Sequence, residues 1–155
     1  SSAPAPTISS PSSGFSSWGG GTYRLAYTQQ CADSCTPQIG PFVPPYGTYA
    51  QTSSVVPDDG CRVTAFDLDA WTTYVFTFCT YDDWGNYAGG SANFDTGLYL
   101  FDAWCSYVTG SGDWCGSASE IIYTPWYTGR HYLMTYDELG YGGSYTLAYG
   151  APPSS

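Results

Sequence analysis

The chain has 155 residues, a formal net charge of −10 and three arginine or lysine side chains. An acidic chain repels polyanions, which argues against nucleic acid or an anionic membrane surface as a partner. No apolar run approaches the roughly 20 residues of a membrane-spanning helix. Its 19 Gly, 11 Pro and 19% aromatic residues favour many short strands over long helices. We therefore predict an all-β fold, an antiparallel β-sandwich of jelly-roll or immunoglobulin-like type, disulfide-stapled and with little or no helix.

Three parts are expected along the chain. Residues 1–20 form a Ser/Pro-rich N-terminal arm, typical of a linker or an O-glycosylated stalk. Residues 21–150 form a single sandwich domain, and residues 151–155 form a Pro/Ser tail. The chain starts at Ser1 without Met or signal peptide, as we expect of a processed secreted protein.

Apolar and polar alternation predicts seven strands. They cover residues 22–28, 61–68, 72–79, 96–101, 119–124, 130–136 and 143–149. The second and third strands are expected to pair as a central hairpin, with Cys61 opposite Cys79 and Phe66 opposite Tyr74. One face of that hairpin would carry Phe66, Leu68, Tyr74, Phe76 and Phe78, and the other Cys61, Val63, Val75 and Cys79.

Six cysteines in an acidic, aromatic-rich chain indicate an oxidising, extracellular setting. Their symmetric spacing about residues 70 and 110 predicts the pairs Cys61–Cys79 and Cys105–Cys115 across two hairpins. Opposed Cβ atoms there lie about 4.5–5.5 Å apart, close to what a disulfide requires. Cys31 and Cys35 would close a small local loop. A C-x3-C spacing with one histidine does not match the usual zinc ligand pattern.

A short repeat links the two ends of the chain. Residues 21–27 read GTYRLAY and residues 143–149 read GSYTLAY. An N-terminal strand that mimics the last strand could pair with a neighbouring subunit, as in donor-strand complementation, with Tyr23, Leu25 and Tyr27 as anchors on one face. Such a heterologous contact generates open filaments. The alternative is that residues 22–28 pair within their own domain.

Residues 61–149 resemble the bacterial pre-peptidase C-terminal domain. The matching pieces, in order, are TAFDLDAWTTYVFTFC, NFDTGLYLFD and GDWCGSASEIIYTPWYTGRHYLMTYDELGYGGSYTLAY. The chain departs from the pattern at His131, where the family has an aromatic residue, and at Thr135, where it has Val. The resemblance implies a β-sandwich without catalytic activity. It also implies that calcium or an extracellular polymer is a candidate ligand, as in some members.

Two features suggest catalysis but fit the sandwich better. Asp95-Thr96-Gly97 matches the aspartic-protease motif, yet it occurs once, and such an enzyme needs two aspartates in one site. We interpret it as a strand start. His131, the only histidine, lies in the middle of a predicted strand, which favours a packing role over a triad. The chain is therefore expected not to be an enzyme.

Two groups of residues are candidates for ligand contact. The loop with Asp82, Asp83 and Asn86 is rich in oxygen atoms, so we weigh a solvated acidic turn against a weak calcium site. Four tryptophans in or near predicted loops could stack on sugar rings or pack against a partner, although core packing is the favoured interpretation for each. They are Trp84, Trp104, Trp114 and Trp126.

The sequence therefore predicts a secreted, extracellular and non-catalytic structural protein. It would be the subunit of a head-to-tail homopolymeric filament, assembled by the N-terminal strand. The alternative is an accessory carbohydrate- or protein-binding module of a secreted enzyme or adhesin. No cofactor is expected apart from the calcium alternative.

Overall fold

Short alternating and apolar segments form ten strands in the part of the chain that the computed structural model describes, residues 35–153. The strands are β1 (Ile39–Phe42), β2 (Tyr49–Val56), β3 (Cys61–Leu68), β4 (Tyr74–Thr77), β5 (Ser91–Ala92), β6 (Thr96–Phe101), β7 (Tyr107–Ser111), β8 (Glu120–Tyr123), β9 (Gly129–Asp137) and β10 (Gly143–Gly150). Within this part, no helix exists that could cross a membrane.

The strands form two sheets that enclose one core. The first sheet has the order β1-β3-β9-β6-β7, and the second has β2-β10-β4-β8, with β5 also beside β10. The predicted all-β sandwich is confirmed, with one difference, because β1 runs parallel to β3 while the other strand pairs are antiparallel. Gly40 permits this pairing, since a Cβ there would lie 2.5 Å from the Ala65 carbonyl oxygen.

Six of the seven predicted strands lie in the described region, and each corresponds to an observed strand. The bounds of β3 and β6 match the predictions, and those of β4, β8, β9 and β10 differ by one or two residues at an end. The remaining prediction, residues 22–28, lies outside the described residues, as does the arm of residues 1–20. The first residue of the predicted C-terminal tail is hydrogen-bonded to the domain, because Ala151 N donates to Pro45 O at 2.8 Å.

The predicted hairpin of β3 and β4 is wrong. β3 pairs with β9 in the first sheet, and β4 pairs with β8 and β10 in the second. The chain crosses between sheets after Leu68, so the Phe66 and Phe76 rings meet across the core with centroids 4.9 Å apart. The five residues of the predicted apolar face are all buried in this core, but two sheets contribute them instead of one hairpin.

All three predicted disulfide pairings are also wrong. The structure pairs Cys35 with Cys105 and Cys79 with Cys115, with Cα–Cα distances of 5.8 and 6.1 Å. Cys61 is also disulfide-bonded, and its predicted partner Cys79 is bonded to Cys115 instead. The predicted turn about residue 110 does not exist, because Gly110 lies within β7 and the β6–β7 hairpin turns earlier, at residues 102–106. These disulfides fit an oxidising compartment, extracellular or periplasmic.

The two features that suggested catalysis, the Asp-Thr-Gly motif and His131, have structural roles. His131 is fully buried, its Nδ1 donates to Gly129 O at 3.0 Å, and its ring stacks on Tyr127 with centroids 4.8 Å apart. Burial lowers its pKa, which favours a neutral packing side chain. Thr96 begins β6, and its Oγ1 donates to Ser119 Oγ at 2.8 Å. The Asp-Thr-Gly motif is therefore a strand start, as predicted.

Candidate functional site

Three exposed tryptophans lie on loops at one end of the sandwich. β3, β6 and β8 all run toward this end, since β3 and β6 are both antiparallel to β9, and β8 is antiparallel to β4, which begins there. Trp71 follows β3, Trp104 follows β6, and Trp126 follows β8. We call these three residues together with Tyr127 the aromatic end.

Trp104 and Trp126 form a nearly parallel pair. Their ring planes differ by 2° and their centroids lie 6.0 Å apart. The two residues are 64% and 60% exposed, so core packing is the wrong interpretation for both. The Tyr127 ring lies edge-on to each of them at 5.1 and 4.9 Å, and it stacks in turn on the buried His131. The exposed pair therefore packs against Tyr127, which in turn packs against the buried His131.

Hydrogen bonds between loops hold this arrangement. Ala103 N donates to the Tyr127 hydroxyl at 2.8 Å, and that hydroxyl donates to Arg130 O at 2.9 Å. Asp102 Oδ1 accepts from the backbone N–H of Trp104 at 3.0 Å and of Ser106 at 2.9 Å, which closes the turn that presents Trp104. The loops after β6 and β8 are thus joined to each other and to β9.

The surroundings of the aromatic end are acidic. Asp69 and Asp102 lie in its loops, and Arg130 Nε is paired with Asp67 Oδ1 at 2.6 Å. The hydrogen bond to Asp67 raises the pKa of Arg130, so this guanidinium stays charged and engaged. Burial raises the pKa of Tyr127, and the charge of Asp102 adds to the rise. This end of the molecule therefore disfavours an anionic ligand.

The other two candidate tryptophans lie elsewhere. Trp114 stands after β7 and Trp104 before it, so they lie at opposite ends of that strand. Trp114 is 53% exposed, and its Nε1 donates to Asp83 Oδ1 at 2.9 Å. Trp84 is partly buried, and its backbone N–H donates to Asp82 Oδ1 at 2.9 Å. Of the four predicted candidates, only Trp104 and Trp126 are brought together.

Sequence reasoning missed Trp71 as a site residue. It lies between the predicted strands 61–68 and 72–79, where a hairpin turn was expected, whereas the structure puts it on the loop that crosses between the sheets, 75% exposed. Its backbone N–H donates to Pro125 O at 2.8 Å, one residue before Trp126. The available signal was that Trp71, like Trp104 and Trp126, follows a predicted strand.

The loop proposed for calcium is closed by its own hydrogen bonds. The Asp82 carboxylate accepts from the Tyr49 hydroxyl at 2.7 Å, from the backbone of Trp84 and Asn86, and from Asn86 Nδ2 at 2.9 Å. Burial opposes ionisation of Asp82, but the hydrogen bonds from Asn86 and Tyr49 outweigh it and lower the pKa. The geometry favours a structural acidic turn, and calcium binding at Asp82, Asp83 and Asn86 stays a prediction.

A second group of carboxylates gathers at the same end of the sandwich as that loop. Oxygens of Asp95, Asp113 and Glu138 lie within 4.8 Å of one another. This spacing would suit a divalent cation, but exposed acidic groups also cluster without one. The cluster by itself assigns no ligand.

Glu120 is a buried carboxyl group near this end, with 2% exposure. Burial raises its pKa to about 7, a contact with Thr77 opposes the rise, and the nearby charge of Asp83 adds to it. Because the folded-state pKa lies above the ordinary value of 4.5, the folded protein favours the protonated carboxyl. The resulting stability is fully present below pH 4.5 and is lost as the pH rises to about 7.

We therefore expect Glu120→Gln, which cannot ionise, to remove part of the pH dependence of folding. Between pH 4.5 and 7.5 the free energy of unfolding of the wild type should fall relative to that of the variant, by no more than about 3 kcal/mol. Urea unfolding across this pH range measures the difference. Asp58→Asn, in the exposed turn between β2 and β3, serves as the control. Parallel pH profiles for the wild type and Glu120→Gln would contradict the assignment.

Comparisons with known proteins find similar solved structures and no matching sequence. A scan against protein-family models finds no match, and neither does a comparison with curated protein sequences. Among solved structures, the chain is similar to the pre-peptidase C-terminal domain of a Bacillus anthracis collagenase, with 14% identity and a TM-score of 0.47 over 71% of this chain and 96% of that one. The resemblance predicted from the sequence is confirmed.

The chain is also similar to PliG, a periplasmic inhibitor of g-type lysozyme. The Aeromonas hydrophila protein is 10% identical, with a TM-score of 0.49 over 72% of this chain and 97% of that one. The Salmonella Typhimurium protein is 15% identical, with a TM-score of 0.44 over 72% of this chain and 94% of that one. These likenesses concern the fold and assign no ligand to this chain.

Proposed function

We propose that this protein is a secreted, non-catalytic module that binds a carbohydrate polymer through Trp104 and Trp126. The observation that carries the proposal is the pair itself, two exposed indoles with ring planes 2° apart. Large exposed aromatic side chains normally mark a ligand or partner surface, since leaving them in water forgoes the free energy of burial. The Tyr127 ring packs edge-on against both indoles and holds their orientation.

Sugar rings suit this surface for two reasons. The face of an indole carries negative partial charge, and the C–H bonds on the flat face of a pyranose carry positive partial charge, so the two surfaces attract when stacked. The hydroxyl groups at the edge of a sugar are hydrogen-bond donors, and Asp69 and Asp102 are acceptors in the adjacent loops. The acidic surroundings favour a neutral or amino-sugar polymer over one built from uronic acids.

Replacing either indole of the pair should weaken glycan binding. For Trp104→Ala and for Trp126→Ala we expect the dissociation constant to rise at least tenfold, about 1.4 kcal/mol, because a stacking surface is removed. Binding is measured by pull-down on cellulose, chitin, xylan and starch, and then by calorimetry with oligosaccharides of the polymer that is retained. Trp114→Ala is the matched control, since it removes an exposed indole at the opposite end.

Two outcomes would contradict the proposal. One is a wild-type protein that binds none of these polymers. The other is a Trp104→Ala variant that binds as well as the wild type while keeping its melting temperature. Loss of binding in Trp114→Ala alone would move the site to the other end of the sandwich.

Self-association into a head-to-tail filament stays a prediction. Tyr23, Leu25 and Tyr27, the expected anchors, lie outside the described residues. The strand that residues 21–27 repeat, β10, is paired with β2 on one side and with β4 and β5 on the other. An N-terminal strand from a neighbouring subunit could therefore not pair beside β10 and would have to pair with a strand at the edge of a sheet. Protein binding as a module also stays a prediction, and the aromatic end would be its surface.

A further inference from the structure

Trp71 has an unusual backbone conformation. Its φ is +67°, in the left-handed region that large side chains rarely adopt and that glycine adopts without steric cost. Conformations of this kind cost free energy, and they persist where the surrounding structure imposes them, often at functional sites. A glycine at this position would meet the demands of the turn, so the turn itself does not explain the presence of a tryptophan.

Packing does not explain Trp71 either. The residue is 75% exposed, and among the described residues no other aromatic ring stacks on it. Its backbone is nevertheless fixed, because its N–H donates to Pro125 O at 2.8 Å and Ala70 N donates to Thr128 Oγ1 at 2.9 Å. These bonds join the Trp71 loop to the loop that carries Trp126. A strained backbone thus presents a large apolar side chain to solvent at a fixed position.

We infer that Trp71 is a third ligand contact and that it makes the site specific for a chain of several sugar units. The inference rests on the proposed function. Among the described residues, Trp104 and Trp126 make ring contacts with each other and with Tyr127 but none with Trp71, so we assign Trp71 a sugar unit of its own. A longer chain can contact the pair with one unit and Trp71 with another.

The charged groups near Trp71 restrict the class of sugar that this residue would contact. Asp69, two residues from Trp71, accepts a hydrogen bond from the hydroxyl of the exposed Tyr46. That bond raises the pKa of Tyr46 to about 12, so the phenol remains a neutral donor. The nearby guanidinium, Arg130, is already paired with Asp67. Among the described residues of these loops, the Trp71 contact therefore offers hydroxyl and carboxylate oxygens to a neutral or amino sugar, and the guanidinium of Arg130 is already engaged.

The test is the dependence of binding on oligosaccharide length in Trp71→Gly. With the neutral polymer retained by the wild type, the affinity for its hexasaccharide should fall at least tenfold, while the affinity for its monosaccharide should stay unchanged. The melting temperature should rise, because glycine relieves the left-handed strain. Trp71→Ala is the matched variant, which should lose the same affinity without that rise.

The outcomes separate this inference from the proposed function. If Trp71→Gly and Trp71→Ala bind the hexasaccharide like the wild type while Trp104→Ala has lost binding, the inference is wrong and the function stands. An equal loss for the monosaccharide and the hexasaccharide would also overturn it, because Trp71 would then belong to the same subsite as the pair. If neither Trp104→Ala nor Trp71→Gly changes binding, or if the wild type binds no glycan, the proposed function itself fails.

Discussion

Removing the Cys79–Cys115 disulfide with a Cys79→Ala/Cys115→Ala double substitution should lower the free energy of unfolding by about 4 kcal/mol. The bond links residues 36 positions apart, and cross-linking over such a distance removes much of the conformational entropy of the unfolded chain. It also joins the end of β4 in the second sheet to the loop between β7 and β8. Equilibrium unfolding in urea under non-reducing conditions measures the loss.

The second disulfide supplies a comparison for the first. Cys35 and Cys105 are 70 positions apart, and because the entropic effect grows only with the logarithm of the separation, Cys35→Ala/Cys105→Ala should lose a similar amount, slightly more. Alanine in place of Cys79 removes little buried volume, so cavity formation contributes little to the difference. A loss below about 1 kcal/mol for both variants would show that the sandwich does not depend on these bonds.

Phe66→Ala should lower the free energy of unfolding by about 3–5 kcal/mol. The side chain is fully buried, and its ring contacts Phe42, Phe76 and Tyr149 with centroid distances of 6.1, 4.9 and 5.0 Å. These neighbours come from both sheets, so the truncation opens a cavity at the interface that holds the sandwich together. Urea unfolding monitored by tyrosine and tryptophan fluorescence gives the value.

Val43→Ala provides the control for this substitution. Val43 is 71% exposed in the loop between β1 and β2, and its truncation should change the stability by no more than about 0.5 kcal/mol. If Phe66→Ala cost no more than Val43→Ala, the two sheets would not be held together by the aromatic core.

Much of the secondary structure could be predicted from sequence because alternation is a local property. β3 and β6 were predicted with their observed bounds, since each is a short run rich in apolar residues that ends at an aspartate or glycine of a turn. β2 was missed because its YAQTSSVV segment is dominated by small polar residues, although its register beside β10 is regular. β1 was missed because IGPF contains Gly and Pro, which normally break strands.

The pairing of strands and cysteines could not be predicted in the same way. Symmetric spacing about residues 70 and 110 indicated hairpins, but a short connection can also carry the chain from one sheet to the other. The loop after Leu68 does so, and this single crossing places Cys61 in one sheet and β4, the strand before Cys79, in the other. Both faces of β3 and β4 are apolar, so the pattern did not distinguish a hairpin from a crossing.

Only part of the candidate site could be predicted from the sequence, because the site also depends on how the strands are arranged in space. Trp104 and Trp126 were recognised as loop tryptophans, but their parallel stacking depends on β6 and β8, in different sheets, ending at the same end of the sandwich. Trp84 and Trp114 carried the same local signal and lie elsewhere. The strain at Trp71 arises from one backbone dihedral angle, and the pattern of apolar and polar residues carries no information about that angle.

The hydrogen bonds between the loops of the aromatic end have a thermodynamic consequence. Because Ala103, Trp71 and Ala70 are hydrogen-bonded to the segment of residues 125–128, binding of the proposed glycan would not have to order these loops. The entropic cost of association then falls mainly on the ligand and on the loss of its free tumbling. A stiff, extended polymer would lose less conformational entropy on binding than a flexible one, so under the proposed function the pre-organised indoles would favour a stiff glycan over a flexible one of the same chemistry.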